Sequence, residues 1–294
     1  LKVVMVNDCS FVGENIIKYL PEEFQVTHIK RTRGLWSKTG GIFWKILHAK
    51  ADIFHTHYLL QDSYLTLKLK KKPVVAHAHG SDIRSTLHSK KWGWIVKYII
   101  KNADRVLLSS LDVLEKLKAI RDDVIYIPIP IDVSSFIEKP FRNHNKIIVF
   151  HPYNSLVRGT DKVVDSFKLL DLAYPKKFEF LFLEKHILHE EMQTYYHKAD
   201  IVVTDLGVGA LSTCSLEAMA CGRPVIQYIK DGIYSEQPPV LNVDDSYLSL
   251  FERLVEITKS EIIKYGKLGR RYIKQFHNAE VIAKQVGQIY EEVT

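Results

Sequence analysis

The chain has 294 residues, with 41 Lys and Arg against 34 Asp and Glu, a formal net charge of +7 and 46% hydrophobic residues. This composition excludes a disordered chain and suits two ordinary globular domains or one large α/β domain. No apolar run approaches the roughly 18 to 20 residues of a membrane span. Three scattered cysteines (Cys9, Cys214, Cys221) exclude a disulfide framework or a cysteine zinc site, so a reducing cytoplasm is expected.

Short β-branched runs alternate with amphipathic stretches almost from end to end. The opening residues read as a first strand, not as a signal peptide. Strands are expected at 2–6, 24–29, 52–55, 73–79, 105–108 and 124–127. Helices are expected near 11–20, 36–48, 59–69, 89–102 and 112–120. Strands separated by helices of this length form βαβ units and a parallel sheet. The segment Ile127-Pro128-Ile129-Pro130-Ile131-Asp132 interrupts the pattern, because two prolines two apart cannot lie in a central strand. A second alternation follows, with strands at 146–150, 178–183, 201–204 and 224–228, and three helical segments close the chain, the last at 279–292. The expected division is a first Rossmann-like domain at 1–138, a second at 139–276, and a C-terminal helical segment at 277–294 that packs back on the first. Two such halves facing each other across a cleft would bind ligands beyond the carboxyl ends of their strands.

The charge is uneven. Residues 1–135 hold 21 basic and 13 acidic side chains, a net of +8, and the remainder has a net of −1. Three stretches carry the excess: Lys30-Arg31-Thr32-Arg33, Lys68-Leu69-Lys70-Lys71-Lys72, and residues 89–101, where Lys90, Lys91, Lys97 and Lys101 interleave with Trp92, Trp94 and Tyr98. Basic residues beside Trp and Tyr suit an anionic membrane surface. The alternative is a solvated basic face with its tryptophans turned toward the sheet. Nucleic acid is not expected as a partner, since no binding motif accompanies the charge.

The most informative stretch runs from Asp205 to Ile226. A strand ends near Thr204 and a loop containing Gly207 and Gly209 follows. Ser212 or Thr213 then suits the N-cap of a short helix, Gly222 suits its C′ position, and Pro224 opens the next strand. A helix N-terminus with unpaired N–H groups and a partial positive charge favours a diphosphate. Glu217, about one turn into this helix, could accept hydrogen bonds from ribose hydroxyls.

Glu217-Ala218-Met219-Ala220-Cys221-Gly222-Arg223-Pro224-Val225 resembles the donor-site signature of the GT4-type retaining glycosyltransferases, which have the GT-B fold. Pro130-Ile131-Asp132, Arg158-Gly159-Thr160-Asp161, Phe276-His277-Asn278 and Ile289-Tyr290 extend the resemblance loosely over most of the chain. It implies an α/β protein of two Rossmann-like domains that moves a sugar from a nucleotide-diphosphate sugar to an acceptor, without a metal or other cofactor. Glu217 would bind the ribose, while Arg158 and the helix start at Ser212 and Thr213 would face the diphosphate. Two positions depart from the pattern: Gly209 stands where many members carry a second glutamate, and Tyr153 stands in place of an arginine five residues before Arg158.

In the first half, the strand ending Ala76-His77-Ala78-His79-Gly80 points to a second constellation. Alternation puts His77 and His79 on one face. The resemblance implies that a histidine at this strand end touches the donor sugar, and His79 is the candidate. Its imidazole could bond a sugar hydroxyl and support developing charge, while Gly80 permits close backbone approach. Asp82 is read as a helix cap or an acceptor contact, and a metal site of His77, His79 and Asp82 is the competing possibility. His55 and His57 are read as structural or cleft-lining. Gly13, in the loop after the first strand, resembles the family's glycine between donor and acceptor. The absence of a GxGxxG pattern there argues against a dehydrogenase.

The functional expectation is a cytoplasmic transferase, peripheral on the inner face of the membrane, acting on a glycan or lipid acceptor. The alternatives are a nucleotide-sugar 2-epimerase of the same fold and a non-catalytic protein that binds a sugar nucleotide or partners another transferase.

Overall fold

The computed structural model describes residues 1–31, 40–141, 145–183 and 187–294. The chain divides into two compact units, Leu1–Pro130 with Ala279–Thr294, and Ile131–Asn278. The expected division at 138/139 therefore moves back to Pro130/Ile131. The reason is local bonding: the carbonyls of Ser135, Phe136 and Ile137 accept from Gln193, Arg270 and His197, all in the second unit. At the other end Asn278, paired with Ile131, closes that unit.

The first unit contains β1 (Lys2–Val6), α1 (Val12–Tyr19), β2 (Gln25–Ile29), α2 (Ile42–His48), β3 (Ile53–His57), α3 (Gln61–Lys68), β4 (Val74–Ala78), α4 (Gly93–Asn102), β5 (Arg105–Leu108), α5 (Leu114–Lys118) and β6 (Ile125–Tyr126). Of the helix expected at 36–48, residues 36–39 lie outside the described residues. The strands pair in parallel in the order β2-β1-β3-β4-β5-β6. Helices cover both faces, so the central strands are buried on both sides. Val4, Val6, Phe54, Val74 and Ala76 face one core. Val3, Met5, Ile53 and Val75 face the other, with Ile16 and Val286.

The second unit contains β7 (Ile147–His151), α6 (Thr160–Ala173), β8 (Phe178–Phe182), α7 (His189–Lys198), β9 (Ile201–Val203), α8 (Thr213–Ala220), β10 (Val225–Gln227), β11 (Leu241–Asn242), α9 (Tyr247–Glu256) and α10 (Lys259–Phe276). Its parallel order is β11-β10-β9-β7-β8. The two-residue β11 has no run of β-branched residues to announce it. The last helix, α11 (Ala279–Val293), returns to the first unit and packs on α1, with Tyr290 edge-on to Phe24 at 5.7 Å.

In each sheet the strand order reverses once, between β1 and β3 and between β7 and β9. Loops leaving the two central strands diverge there and open a crevice, the usual ligand position in open α/β sheets.

Candidate functional site

Each unit carries its own strand-end site. In the second unit, Arg158 ends a short 3-10 turn after β7, and Asp205 follows β9. Their side chains meet across the switch point, with Arg158 Nη1 donating to Asp205 Oδ2 at 2.5 Å. Asp205 is fully buried and its other oxygen accepts from the N–H groups of Gly207 and Val208 at 2.8 and 2.7 Å. Arg158 also lies over the Tyr153 ring, 5.1 Å from its centroid. Burial raises the Tyr153 phenol well above its usual range, so it stays protonated.

Ser212 is the N-cap of α8, and Thr213 is the first helical residue. The Ser212 hydroxyl accepts from Ser215 N–H at 3.2 Å, and Ser215 Oγ accepts from Ser212 N–H at 3.4 Å. Thr204 and Ser215 hydroxyls both donate to Gln227 Oε1, tying the first turn of α8 to β9 and β10. At the far end Gly222 has φ +72, the left-handed conformation of a C′ residue. Gly209 has φ +78, and a Cβ there would meet Tyr228 Cε1 at 2.9 Å. The loop's own geometry thus demands glycine where the resembled family carries a glutamate.

Glu217 is buried between α7 and α8. One carboxylate oxygen bonds His189 Nε2 at 2.6 Å and the other accepts from Tyr196 O–H at 2.8 Å. An ionised carboxylate has about four acceptor sites, so each oxygen retains capacity for a second donor. Sequence reasoning missed His189 and Tyr196, which no motif marks. It also missed His151 at the end of β7. The His151 Nδ1–H donates to Val203 O at 2.8 Å and its Nε2 accepts from Thr160 at 3.0 Å, which joins β7, β9 and the start of α6. Burial lowers the His151 pKa to about 4.

In the first unit, a cavity of about 410 Å³ opens at the switch point, lined by Asn7 and Asp8 after β1, Lys30 and Arg31 after β2, and His57, Tyr58, Leu60, Gln61 and Asp62 at and after the end of β3. Asp8 serves the N-terminus of α1, accepting from Gly13 N–H at 2.7 Å and Glu14 N–H at 3.2 Å. Gly13 has no room for a side chain, since a Cβ would lie 2.9 Å from His57 Nε2 and 3.0 Å from Met5 Sδ. Arg31 holds Asp62 bidentately at 2.8 and 2.6 Å, and Asn7 bonds the same carboxylate. Thr32 and Arg33 of the basic stretch lie outside the described residues.

The four histidines of β3 and the end of β4 share one face of the sheet as a stacked cluster. Ring centroids are 4.7 Å apart for His55 and His57, 4.5 Å for His77 and His79, and 5.1 Å for His57 and His79. Tyr290 O–H, His55, His77 and Ser109 form one hydrogen-bonded row at 2.5, 3.3 and 2.7 Å. His57 Nδ1 and His79 Nε2 form a second contact at 2.9 Å. Burial lowers the pKa of all four, to about 3 for His57.

Asp82 does not cap the helical turn it enters. It lies inside that turn, and Ser81 precedes it. Its buried carboxylate accepts from the backbone N–H of Leu59 at 2.9 Å, His79 at 3.2 Å and Ile83 at 3.1 Å, binding the loop after β3 to the loop after β4. That occupation leaves a set of His77, His79 and Asp82 poorly matched to a metal. Nitrogens of His55, His57 and His77 do lie within 4.8 Å of one another. However, His55 and His77 already bond each other, and nearly parallel rings put their in-plane lone pairs in parallel planes instead of directing them at one point. The arrangement fits hydrogen-bonded neutral imidazoles.

Two doubly wound parallel units, each with a strand-end site at its switch point, define the GT-B class. Residues 15–135, most of them in the first unit, match the family model Glycosyltransferase Family 4. The signature around Glu217 lies outside this match, in the other unit. Among solved structures, sucrose-phosphate synthase from Thermosynechococcus elongatus is similar over 99% of this chain and 98% of its own, with TM-score 0.77 and 16% identity. The catalytic domain of starch synthase IV from Arabidopsis thaliana, bound to ADP and acarbose, is similar over 99% of both chains, with TM-score 0.66 and 10% identity. A putative UDP-N-acetylglucosamine 2-epimerase from Listeria monocytogenes is similar over 100% of this chain and 97% of its own, with TM-score 0.64 and 11% identity. No curated protein matches the sequence. Likeness at these identities establishes the shared fold.

Proposed function

We propose that the protein transfers a sugar from a nucleotide-diphosphate sugar to an acceptor hydroxyl, with retention of the anomeric configuration. The observation that carries this reading is the second unit's switch point, where Arg158, the capped start of α8 and Glu217 gather on adjoining elements. As the anomeric C–O bond breaks, negative charge grows on the diphosphate. A guanidinium and a helix N-terminus stabilise that charge more in the transition state than before it. Glu217 would take ribose hydroxyls on its remaining lone pairs. His79 would meet the sugar, and the cavity beside Asp8, Gly13 and Asp62 would receive the acceptor, a glycan or the headgroup of a lipid. Retention and independence of metal rest on the family resemblance.

A peripheral position on the cytoplasmic face of a membrane is supported by the aromatic side chains of the first unit. Trp44, Trp92 and Trp94 are 51%, 39% and 52% exposed, beside exposed Lys45, Lys90, Lys91 and Lys97. These three tryptophans therefore do not turn fully toward the sheet.

A panel of nucleotide-diphosphate sugars should contain one that raises the unfolding temperature, since a ligand at 100 times its Kd adds about 2.7 kcal/mol of stability. That donor should then be consumed only with an acceptor present. Formation of a 2-epimer from the donor alone would overturn the transferase reading. So would tight binding with equal background turnover by wild type and His79→Ala, which would mark a non-catalytic binding protein.

A further inference from the structure

Tyr153 follows β7 by two residues and meets several parts of the second unit's strand-end site. The Arg158 guanidinium lies over its ring, with Cζ 5.1 Å from the centroid. Its phenol is hydrogen-bonded to the Ser212 hydroxyl and the Cys214 thiol, both at the start of α8. The same thiol bonds Tyr196, whose O–H donates to Glu217 at 2.8 Å. Arg158, Tyr153, Cys214, Tyr196 and Glu217 thus form one continuous row of contacts past the start of α8.

Apart from this ring, Arg158 is held from one side. Its backbone C=O accepts from Leu206 N–H at 3.0 Å, and its Nη1 donates to Asp205. A guanidinium fixed through one nitrogen can still turn about that bond. A ring beneath it restrains the turning, because the ring quadrupole attracts the cation and a planar guanidinium stacks on an aromatic face. Among the described residues Asp205 is the one acceptor bonded to this side chain, so most of its N–H donors remain for a ligand. Asp205 also offsets the charge of Arg158. What Arg158 offers a diphosphate is therefore directional donors more than net charge, and these act best when aimed in advance. Burial keeps the Tyr153 phenol protonated, so the ring adds no negative charge against the ligand. Where the resembled family carries a second cation, this chain carries a support for the first.

We infer that Tyr153 is a positioning residue for Arg158: its ring supports the guanidinium, its phenol is anchored to α8, and the cation and the helix start are thereby held at a set spacing for a nucleoside diphosphate. The identity of that ligand rests on the transferase reading proposed above.

Titration calorimetry on the full chain tests this, with whichever of ADP, GDP and UDP binds wild type most tightly. Tyr153→Leu should weaken binding about fivefold, the effect of losing one partly desolvated cation–π contact. Tyr153→Phe, which keeps the ring, should stay within about twofold of wild type. In an Arg158→Ala background, adding Tyr153→Leu should change the affinity by less than about twofold, because the residue it positions is already gone. Tyr153→Met takes the place of Tyr153→Leu if that variant does not fold. Equal losses from Tyr153→Leu in the two backgrounds would give Tyr153 a packing role and overturn the inference. Equal losses in the Phe and Leu variants would overturn it too, by tracing the effect to the phenol oxygen, and so would wild-type affinity in the Leu variant. A wild type that binds none of the three nucleotides overturns the proposed function together with the inference, whereas the other adverse outcomes leave the proposed function standing.

Discussion

At 2.5 Å from Asp205, Arg158 is not the free phosphate-binding cation that its position after a strand suggests. The pair holds the two central loops of the second unit together and also aims the guanidinium. Asp205 is fully buried and Arg158 is 27% exposed, so removal of the cation leaves a buried carboxylate supported only by two backbone N–H groups. Arg158→Ala should lower unfolding stability by about 2 kcal/mol, a discounted share of the cost of breaking a buried pair. It should also weaken nucleoside-diphosphate binding about tenfold, the worth of one charge-assisted bond. Chemical denaturation and titration calorimetry read the two effects separately. Loss of stability with unchanged diphosphate affinity would leave Arg158 a structural residue alone. The same scale shows why Glu217 was found from sequence and its partners were not. Glu217 stands in a nine-residue signature, whereas His189 and Tyr196 come from a helix with no motif and meet it only because α7 packs on α8.

At the scale of elements, β3 and the end of β4 put four histidines on one side of the sheet, opposite Phe54, Thr56, Val74, Ala76 and Ala78. Period-two alternation predicts the shared face of His77 and His79, but the parallel register that pairs His57 with His77 joins the two sets into one cluster. A neutral buried imidazole has a folded pKa below the 6.5 of the free group. The unfolded chain therefore binds protons first as the pH falls. Stability is full above about pH 6.5 and is lost toward the folded values, about 4 for His151 and about 3 for His57. Each such histidine removes about 1.4 kcal/mol per pH unit within that window, and His55 and His77 add to the slope. Urea midpoints measured from pH 7.5 down to 4.5 should fall steeply below about 6.5, in the neutral-histidine direction. A midpoint that holds level from pH 7 to 5 would show that these imidazoles are not neutral in the core.

Across the whole molecule, the +7 charge belongs to the first half of the sequence, and the structure sorts that excess further. Lys30 pairs with Glu14, Arg31 with Asp62, and Arg84 with Asp112. Among the lysines that face water are Lys45, Lys90, Lys91 and Lys97, beside the exposed Trp44, Trp92 and Trp94. Such a surface should bring the protein down with anionic vesicles at about 20 mM salt and release it at about 500 mM, as screening shortens the reach of the charge. Trp94→Ala should weaken this binding. Equal binding to neutral vesicles, or none at low salt, would assign these residues to an ordinary solvated face.

The sequence alone carried the two α/β alternations, the break at the paired prolines, and the helix bounded by Ser212 and Gly222. Each of these follows from neighbours in the chain: side-chain periodicity, a missing N–H, a cap and a left-handed glycine. The tertiary structure decided what distant residues do to one another. It moved the unit boundary to Pro130, because carbonyls of residues 135–137 bond side chains 58, 60 and 134 positions away. It turned Asp82 from a cap into a tie between loops, paired Arg158 with Asp205, and set His57 against His79. Hydrogen bonds and burial depend on where the sheet order and register bring side chains, and local pattern does not specify that.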